Sequence, residues 1–306
     1  MKQFQKFIAA VVCTVALLLV TFFTVNGRAA TYHSSRDSSP IPTVFVHGLK
    51  GSPRSTNGMI AYFSEYYYGA QRVQTINVWP DGTLQVEGEY QEIDHPLIQI
   101  NFVNRNASIP QDNVWLTEAL HYIKTVDGVR RFDAVGHSAG CVTLLQTEML
   151  HRKDLPIMEK FVSIAGTYNG LLGENDYPHA VKLNSYYRPD HAYLRDYQYP
   201  AFNTLVKEGC YFPKDIQVLN IYGDVNDGTD SDGTVTTQSA LSLNYILRRQ
   251  ILKIRNVKCT GVEFKHSGLR KSPLVYQQIG QFLWGQRPNR LAPPVSLLPG
   301  SSIKVR

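Results

Sequence analysis

The pentapeptide GHSAG (136–140) constrains the fold of this chain more than any other feature of its sequence. It follows a strand-like segment, RFDAVG (131–136), and it precedes a segment with helical periodicity, 141–150. A Gly-x-Ser-x-Gly sequence in that setting is typical of a sharp turn that lifts a serine hydroxyl above the carboxyl end of a sheet. Small flanking residues let the strand and the helix approach each other while the serine adopts a strained, positive φ. The pentapeptide therefore predicts a nucleophile at Ser138.

The segments around this turn alternate between strand-like and helix-like patterns. The strand-like runs are 41–48, 97–103, 161–165, 217–222 and 254–264. The helix-like runs include one that starts near 57, then 113–126, 237–249 and 273–284, and Asp112 is the predicted N-cap of the run 113–126. Residues 72–79 and 84–90 flank a Pro-Asp-Gly-Thr turn and predict a hairpin. Strands that alternate with helices predict a mostly parallel sheet covered by helices on both faces.

One large domain, residues 40–286, accounts for most of the chain. Before it, residues 31–39 are polar and Ser-rich and predict a linker. After it, residues 287–306 are Pro-rich and basic and predict an exposed tail. Inside the domain, residues 167–214 are too long for an ordinary loop, so they predict a cap inserted between two strands.

The first thirty residues predict a targeting segment. They combine a basic start, Lys2 and Lys6, with an apolar run over residues 7–25 and with small residues where a signal peptidase would cleave. The run approaches the ~20 residues needed to span a bilayer, so an uncleaved N-terminal anchor is the alternative to a signal peptide. Both interpretations predict that the domain is secreted or lies on the extracellular face of the membrane.

The predicted cap is rich in tyrosine. Because tyrosine offers apolar area with a polar tip, this composition suits a moderately apolar acyl substrate or a sugar-bearing one. A tyrosine-rich surface without a role in substrate binding is the alternative. The residues concerned are Tyr168, Tyr177, Tyr186, Tyr187, Tyr193, Tyr197 and Tyr199.

The segment HGLKG (47–51) follows the first predicted strand. In folds with a nucleophile turn of this kind, the corresponding turn lies beside the serine and directs a backbone N–H toward it. The N–H groups of Leu49 and Ala139 are therefore predicted to form an oxyanion hole. Leu49 would act through its backbone, so its replacement by alanine is expected to be mild.

A serine nucleophile needs a base and an acid, and the expected chain order is Ser, Asp or Glu, His. His266 is predicted as the base because it follows a late strand and precedes the closing helix. The acid is predicted to be Asp232, in an Asp-Gly-Thr-Val segment that leads into the next helix, with Asp224 as the alternative nearer the strand end. The aspartate-rich loop 224–235 also raises the alternative of Ca²⁺ binding, although it lacks the spacing of an EF-hand.

Charge and cysteine content narrow the function classes. Removing Lys2, Lys6 and Arg28 with the leader lowers the formal net charge from +6 to about +3, and no dense basic cluster with interleaved aromatics supports nucleic-acid binding. Three cysteines then remain. An odd number allows at most one bridge: Cys141 is predicted to be buried and free, and a bridge between Cys210 and Cys259 is left open.

The ordered set of motifs resembles one known family. The set comprises HGLKG, NGMI (57–60), LIQINFVN (97–104), GHSAG, SDGTV (231–235) with SALSL (239–243), and HS (266–267) before a closing helix. It is similar to the DUF915 α/β-hydrolases of Gram-positive cell surfaces, over most of residues 40–285. The resemblance implies an α/β-hydrolase fold and a triad of Ser138, Asp232 and His266. Family members commonly carry glycine where this chain has Cys141.

Together these features predict an exported serine hydrolase, resembling carboxylesterases and lipases, that cleaves esters through an acyl-enzyme on Ser138. The expected partner is a small-molecule or lipid-like ester, with association of the N-terminus with the membrane or cell envelope; no cofactor, metal or nucleic acid is expected. One alternative is a cell-surface binding protein that keeps the fold without turnover. The other is a thioesterase or amidase with the same triad.

Overall fold

The computed structural model describes residues 39–194, 196–251 and 254–305. The predicted leader and residues 31–38 of the predicted linker lie outside these ranges. None of the helices in the described ranges is long and apolar enough to cross a membrane.

Nine strands in the described residues form one sheet, in the order β3-β2-β4-β1-β5-β6-β7-β8-β9. The strands are β1 (Thr43–Val46), β2 (Ala70–Val78), β3 (Leu84–Gly88), β4 (His95–Phe102), β5 (Arg131–His137), β6 (Ile157–Ile164), β7 (Gln217–Asp224), β8 (Arg255–Thr260) and β9 (Ser302–Val305). The neighbours from β2 to β8 pair in parallel, whereas β3 and β9 pair antiparallel at the two edges. The parallel strands all deliver their carboxyl ends to one edge of the sheet.

Helices cover both faces of the sheet. They are α1 (Arg54–Tyr66), α2 (Ile109–Thr125), α3 (Ala139–His151), α4 (Phe202–Glu208), α5 (Thr237–Leu241), α6 (Leu243–Leu247), α7 (His266–Leu269) and α8 (Pro273–Trp284). The apolar sides of α1 and α8 belong to one buried cluster, and those of α2, α3, α4 and α6 belong to the other. The predicted two-sided α/β architecture, an α/β-hydrolase fold, is confirmed.

Strand β1 shows how the sequence produces the two layers. Val44 and Val46 enter the cluster under α2 and α3, whereas Phe45 enters the cluster under α1 and α8. Successive side chains of a strand point to opposite faces, so a strand covered on both sides must be apolar at every position. The continuous apolar run at 44–46 follows from this requirement.

Several elements differ from the sequence prediction in their limits. Helix α2 begins at Ile109 and is capped by Ser108, whose hydroxyl accepts a hydrogen bond from the Gln111 N–H (3.4 Å); Pro110 occupies the first turn. The expectation of an Asp112 cap is therefore wrong, because Pro110 fits the first turn without an N–H. The single helix predicted over 237–249 is divided into α5 and α6 at Ser242.

The segment 287–306, predicted as an exposed tail, also supplies a strand. Within it β9 pairs antiparallel with β8, from Val257 opposite Val305 to Thr260 opposite Ser302. A four-residue strand is too short to produce a clear periodic signal. The sheet therefore extends one strand further than the sequence indicates.

The cysteines within the described residues are all free. Cys141 and Cys259 are buried and Cys210 is exposed, so the bridge between Cys210 and Cys259 that the sequence left open is not formed. Burial raises the pKa of Cys141 and of Cys259 to about 12. Such thiols are chemically inert at neutral pH.

Candidate active site

Ser138 occupies the turn between β5 and α3, at the carboxyl edge of the sheet. Its φ is 58°, in the left-handed region that non-glycine residues rarely adopt. A methyl group at Gly140 would lie 2.5 Å from the His47 carbonyl oxygen, and one at Gly48 would lie 2.8 Å from the Ser138 Cβ. These distances are too short for any side chain, so glycine at both positions allows the HGLKG turn to pack directly against the serine turn.

The three predicted triad residues lie within hydrogen-bonding distance of one another. The His266 Nε2 is 3.0 Å from the Ser138 Oγ, and the His266 Nδ1 is 2.8 Å from the Asp232 Oδ2. Because a carboxylate only accepts hydrogen bonds, Nδ1–H donates to Asp232 and Nε2 is left to accept from the serine hydroxyl. This is the tautomer that a general base for Ser138 requires.

The loop between β7 and α5 (residues 225–236) holds Asp232 from its own backbone. The Asp232 Oδ1 accepts hydrogen bonds from the N–H groups of Thr234 (2.9 Å) and Val235 (2.7 Å). The Asp232 carbonyl in turn accepts from the His266 N–H (2.8 Å), so the acid and the base are joined through backbone as well as side chain. Both oxygens of the buried carboxylate are used, and only Oδ2 faces the imidazole.

Asp224, the alternative acid, has a different partner. Its Oδ2 forms an ion pair with the Lys258 Nζ at 2.7 Å, and its Oδ1 accepts a hydrogen bond from the Asn226 N–H (2.9 Å). Both side chains are largely buried at the ends of the adjacent strands β7 and β8. The structure therefore brings Asp232, and not Asp224, to His266.

The HGLKG turn is fixed by its own histidine. The Phe102 N–H donates to the His47 Nε2 (3.1 Å), so Nδ1 carries the proton and donates to the Gly48 carbonyl (2.9 Å). Burial lowers the pKa of His47, which keeps the ring neutral in this role. In the described part of the chain, no acceptor engages the N–H of Leu49 or of Ala139.

An arginine clamps the same turn from outside. The Arg105 side chain donates to the Gly51 carbonyl through Nε (2.6 Å) and to the Lys50 carbonyl through Nη2 (2.6 Å). The Lys50 N–H donates back to the Arg105 carbonyl (2.7 Å). Lys50 has a φ of 57°, so these three bonds hold a conformation that its side chain disfavours.

A second histidine supports His266. The His137 Nε2–H donates to the His266 carbonyl oxygen at 3.1 Å, and the two rings lie 4.7 Å apart between centroids. Burial holds the pKa of His137 well below its ordinary value, and the neighbouring His266 lowers it further. His137 is therefore a neutral donor that fixes the backbone of the base.

The predicted cap is bonded to the loop that carries the acid. The Asp176 Oδ2 accepts from the Thr236 hydroxyl (2.6 Å), and the Leu172 N–H donates to the Thr234 carbonyl (2.8 Å). Asp176 is 2% exposed, so its bond to Thr236 is made away from solvent. The cap therefore contributes to the position of the acid as well as covering part of the sheet.

The cap tyrosines divide between core and surface. Tyr168 and Tyr199 are buried, and the Tyr168 hydroxyl donates to the Ser163 Oγ (2.8 Å). Tyr177, Tyr186 and Tyr197 are each more than half exposed. The tyrosine content thus reflects two separate environments rather than one continuous lining.

Of the remaining aspartates of the loop, Asp227 bonds within the loop and Asp230 faces the cap. The Asp227 Oδ1 accepts from the N–H (3.0 Å) and the hydroxyl (2.6 Å) of Thr229, and Asp230 lies 3.4 Å from the ring of His179. In residues 39–194, 196–251 and 254–305 no group of three or more His, Cys, Asp or Glu side chains is arranged to hold a metal ion.

Comparison with known proteins identifies the family of this chain. The family described as "Alpha/beta hydrolase of unknown function (DUF915)" matches residues 30–286. The chain belongs to this family. No curated protein matches the sequence significantly.

Solved structures show the same fold. A Listeria innocua protein has a TM-score of 0.72 at 22% identity, over 81% of this chain and 95% of its own. A protein of Lactobacillus plantarum WCFS1, described as a candidate cell surface hydrolase, has a TM-score of 0.64 at 22% identity, over 81% and 93%. Lipase B of Aspergillus fumigatus has a TM-score of 0.51 at 12% identity, over 82% of this chain and 54% of its own.

Two residues of the site carry no recognisable signal in the sequence. Arg105 contacts the HGLKG turn from 54 and 55 positions away, and it lies in an exposed loop whose sequence has no motif. Asp176 reaches Thr236 across 60 positions. Only the fold brings these residues to the turn and to the acid loop, so pattern and spacing could not find them.

Proposed function

We propose that this DUF915 protein is a serine hydrolase that cleaves carboxylic esters through an acyl-enzyme on Ser138. The observation that carries the proposal is the continuous hydrogen-bonded series from the Ser138 Oγ through both nitrogens of His266 to the Asp232 carboxylate. It stands at a turn with positive φ at the carboxyl edge of a parallel sheet, where such folds carry their chemistry.

Acylation follows from the positions of these atoms. The Ser138 Oγ attacks the ester carbonyl carbon while its proton passes to the His266 Nε2, and the carbonyl oxygen becomes an oxyanion. The N–H groups of Leu49 and Ala139 stabilise that oxyanion. Collapse of the tetrahedral intermediate breaks the bond to the leaving alkoxide, which takes the proton from His266 and departs as an alcohol.

Deacylation repeats the sequence with water. His266 removes a proton from the water as it attacks the acyl carbon, and the second oxyanion occupies the same donor pair. Collapse breaks the bond to the Ser138 Oγ, which recovers the proton from His266. The carboxylic acid leaves, and Asp232 holds the imidazole tautomer throughout.

The proposed substrate is a small-molecule or lipid-like ester, and the proposed location is outside the cell. The N-terminal sequence supports export, and the description of the Lactobacillus relative as a candidate cell surface hydrolase agrees with it. The lipase activity in the name of the Aspergillus relative belongs to the same chemical class.

Labelling with a fluorophosphonate probe tests the nucleophile. The domain should be labelled at Ser138, and Ser138→Ala should lose the label while keeping the circular dichroism spectrum of the unaltered protein. Equal labelling of the two proteins would refute the proposed nucleophile. The matched control is Ser52→Ala, directly after the HGLKG turn, which should label normally.

A substrate panel then tests the reaction. p-Nitrophenyl esters of increasing acyl length, with thioester and anilide analogues, should show the highest kcat/KM among the oxygen esters. A preference for the thioester or the anilide would replace esterase by thioesterase or amidase. Labelling without turnover of any analogue would favour a binding protein that retains the fold.

A further inference from the structure

A cavity lies away from Ser138, between the cap and helix α6. Its volume is about 610 Å³, and its lining is dominated by tyrosine, arginine and asparagine. Ile254, which contributes to its wall, immediately precedes β8, whereas His266 follows the other end of that strand. With a rise of about 3.3 Å per residue, the six residues of β8 separate this wall from the active-site edge by roughly 20 Å.

Aromatic rings and guanidinium groups face each other across the cavity. Tyr186 and Tyr187 come from the cap, and Tyr245 comes from α6. The guanidinium carbon of Arg248 lies 3.7 Å from the centroid of the Tyr245 ring, and its Nη1 donates to the Tyr245 carbonyl (2.5 Å). This stacked pair forms a fixed wall opposite the cap.

The cap side is a preorganised loop. The Asn184 Oδ1 accepts hydrogen bonds from the N–H groups of Tyr186 (2.9 Å) and Arg188 (3.0 Å), and the Asn184 N–H donates to the Arg188 carbonyl (3.1 Å). Tyr187 has a φ of 60°, which a bulky residue adopts only when its surroundings impose it. Despite this rigid backbone, the Tyr186 side chain is 76% exposed.

The charge of the cavity is one-sided. Among the described residues, those that line it include Arg188 and Arg248 and no acidic side chain. Within the described part of the chain, the Arg188 side chain makes neither a hydrogen bond nor an ion pair. A guanidinium that is not neutralised locally favours a ligand that brings a carboxylate or phosphate, which it can bind through two parallel N–H donors.

We propose that this cavity binds an anionic saccharide, a sugar ring that carries a carboxylate or phosphate group. A pyranose offers an apolar C–H face to a tyrosine ring and hydroxyl groups to the tyrosine tips, and the anionic group meets Arg188. Tyrosines on a rigid backbone supply such contacts at low entropic cost. The site is independent of the proposed hydrolase activity, because none of its residues contacts Ser138, Asp232 or His266.

Calorimetric titration of the Ser138→Ala domain tests the site without turnover. The probes are trigalacturonic acid, the neutral trisaccharide maltotriose, glucose 6-phosphate and inorganic phosphate. Trigalacturonic acid should bind, and maltotriose should bind at least about 10-fold more weakly, since the neutral sugar lacks the charge-assisted hydrogen bonds to Arg188. Glucose 6-phosphate distinguishes a phosphate-bearing sugar from a uronic acid, and binding of either supports the site.

Variants assign the binding to this cavity. Arg188→Gln should weaken the binding of the anionic sugar by about 10-fold or more, and Tyr186→Ala should weaken it by a smaller factor. The matched controls are Arg130→Gln and Tyr68→Ala, which change exposed residues elsewhere. Both variants should bind the anionic sugar normally. The proposal is overturned if neither anionic sugar binds, if inorganic phosphate binds as well as they do, or if Arg188→Gln is without effect.

Discussion

Two regions flank Ser138, and they are held in place in opposite ways. The acid loop (225–236) is fixed mainly by groups two or three residues away, as when the N–H groups of Thr234 and Val235 bind Asp232. The HGLKG turn (47–51) is fixed by a segment more than fifty residues further along the chain, through Phe102 and Arg105.

The difference follows from what each region supplies. The acid loop contributes one side-chain carboxylate, whose position a short local turn can set. In the proposed mechanism the HGLKG turn contributes a backbone N–H, and a backbone donor is aimed only when the peptide on each side of it is held. Neighbouring groups therefore fix most of the position of Asp232, with a contribution from the cap, whereas contacts distant in sequence fix the donor.

The largest expected effect separates the two aspartates of the acid loop region. Asp232→Asn should lower kcat by about 10⁴-fold, because an amide at this position would favour the wrong tautomer of His266. Asp224→Asn, which leaves His266 untouched, should lower kcat by less than about 10-fold while destabilising the fold through the unpaired Lys258. Steady-state kinetics of the two variants, with urea unfolding of each, gives the comparison; a larger loss of kcat in Asp224→Asn would reverse the assignment.

The second effect concerns the long-range clamp on the HGLKG turn. Arg105→Gln should lower kcat by about 10-fold to 100-fold with little change in KM, because a small displacement of an oxyanion donor costs transition-state binding more than substrate binding. The measurement is the separation of kcat and KM on one p-nitrophenyl ester. Partial recovery of kcat is expected in Arg105→Lys, and also when guanidinium is added to Arg105→Gln at a non-denaturing concentration, because each partly restores the donors to the HGLKG turn. Arg130→Gln, which changes an exposed arginine elsewhere, is the control.

The third effect is the pH dependence of stability that the HGLKG turn introduces. Burial lowers the pKa of His47, so below the ordinary value of 6.5 the unfolded chain binds more protons than the folded chain. The contribution of His47 to the free energy of unfolding should therefore be at its maximum above about pH 6.5, and the free energy of unfolding should fall as the pH drops below about 6.5. Urea unfolding of His47→Gln between pH 5 and 8 should show a shallower slope, with the exposed His121→Gln as control. An unchanged slope in His47→Gln contradicts the role given to burial.

The smallest effect is expected for Leu49→Ala. Because the proposed contribution of Leu49 is its backbone N–H, Leu49→Ala should change kcat/KM by less than about 3-fold. Leu49→Pro removes the same N–H and should lower kcat by about 10² to 10³-fold. Similar losses in the two variants would show that the side chain, and not the backbone, is what the site requires.

Much of the fold was predictable because each parallel strand carries its own signal. Strands β1, β4, β5, β6 and β7 are short apolar runs, which only a sheet covered on both faces requires. Strand β9 was not predictable, since its pairing with β8 compensates for a weak local pattern. The conformation of the predicted cap was not predictable, because its two isolated bridges, Leu172 with Asp176 and Leu183 with Pro189, follow no period.

The residues of the candidate site also divide into those that the sequence predicts and those that only the folded structure reveals. Ser138 was identified by its local motif. His266 and the two competing aspartates were identified by the order in which the base and the acid follow the nucleophile along the chain. The choice between Asp232 and Asp224 needed Lys258, which pairs with Asp224 from the neighbouring strand. Arg105, His137 and Asp176 act through contacts that only the folded chain creates.

The bonds from the cap to the acid loop constrain how a substrate can reach Ser138. A hinged cover that swung away would pull Asp176 from Thr236 and Leu172 from Thr234, and so would shift the turn that orients the carboxylate toward His266. Any opening of the cap would then also move the Asp232 carboxylate away from His266. A cover fastened in this way remains in place as a fixed rim, and we expect that rim to limit the size of the substrates that the proposed hydrolase accepts.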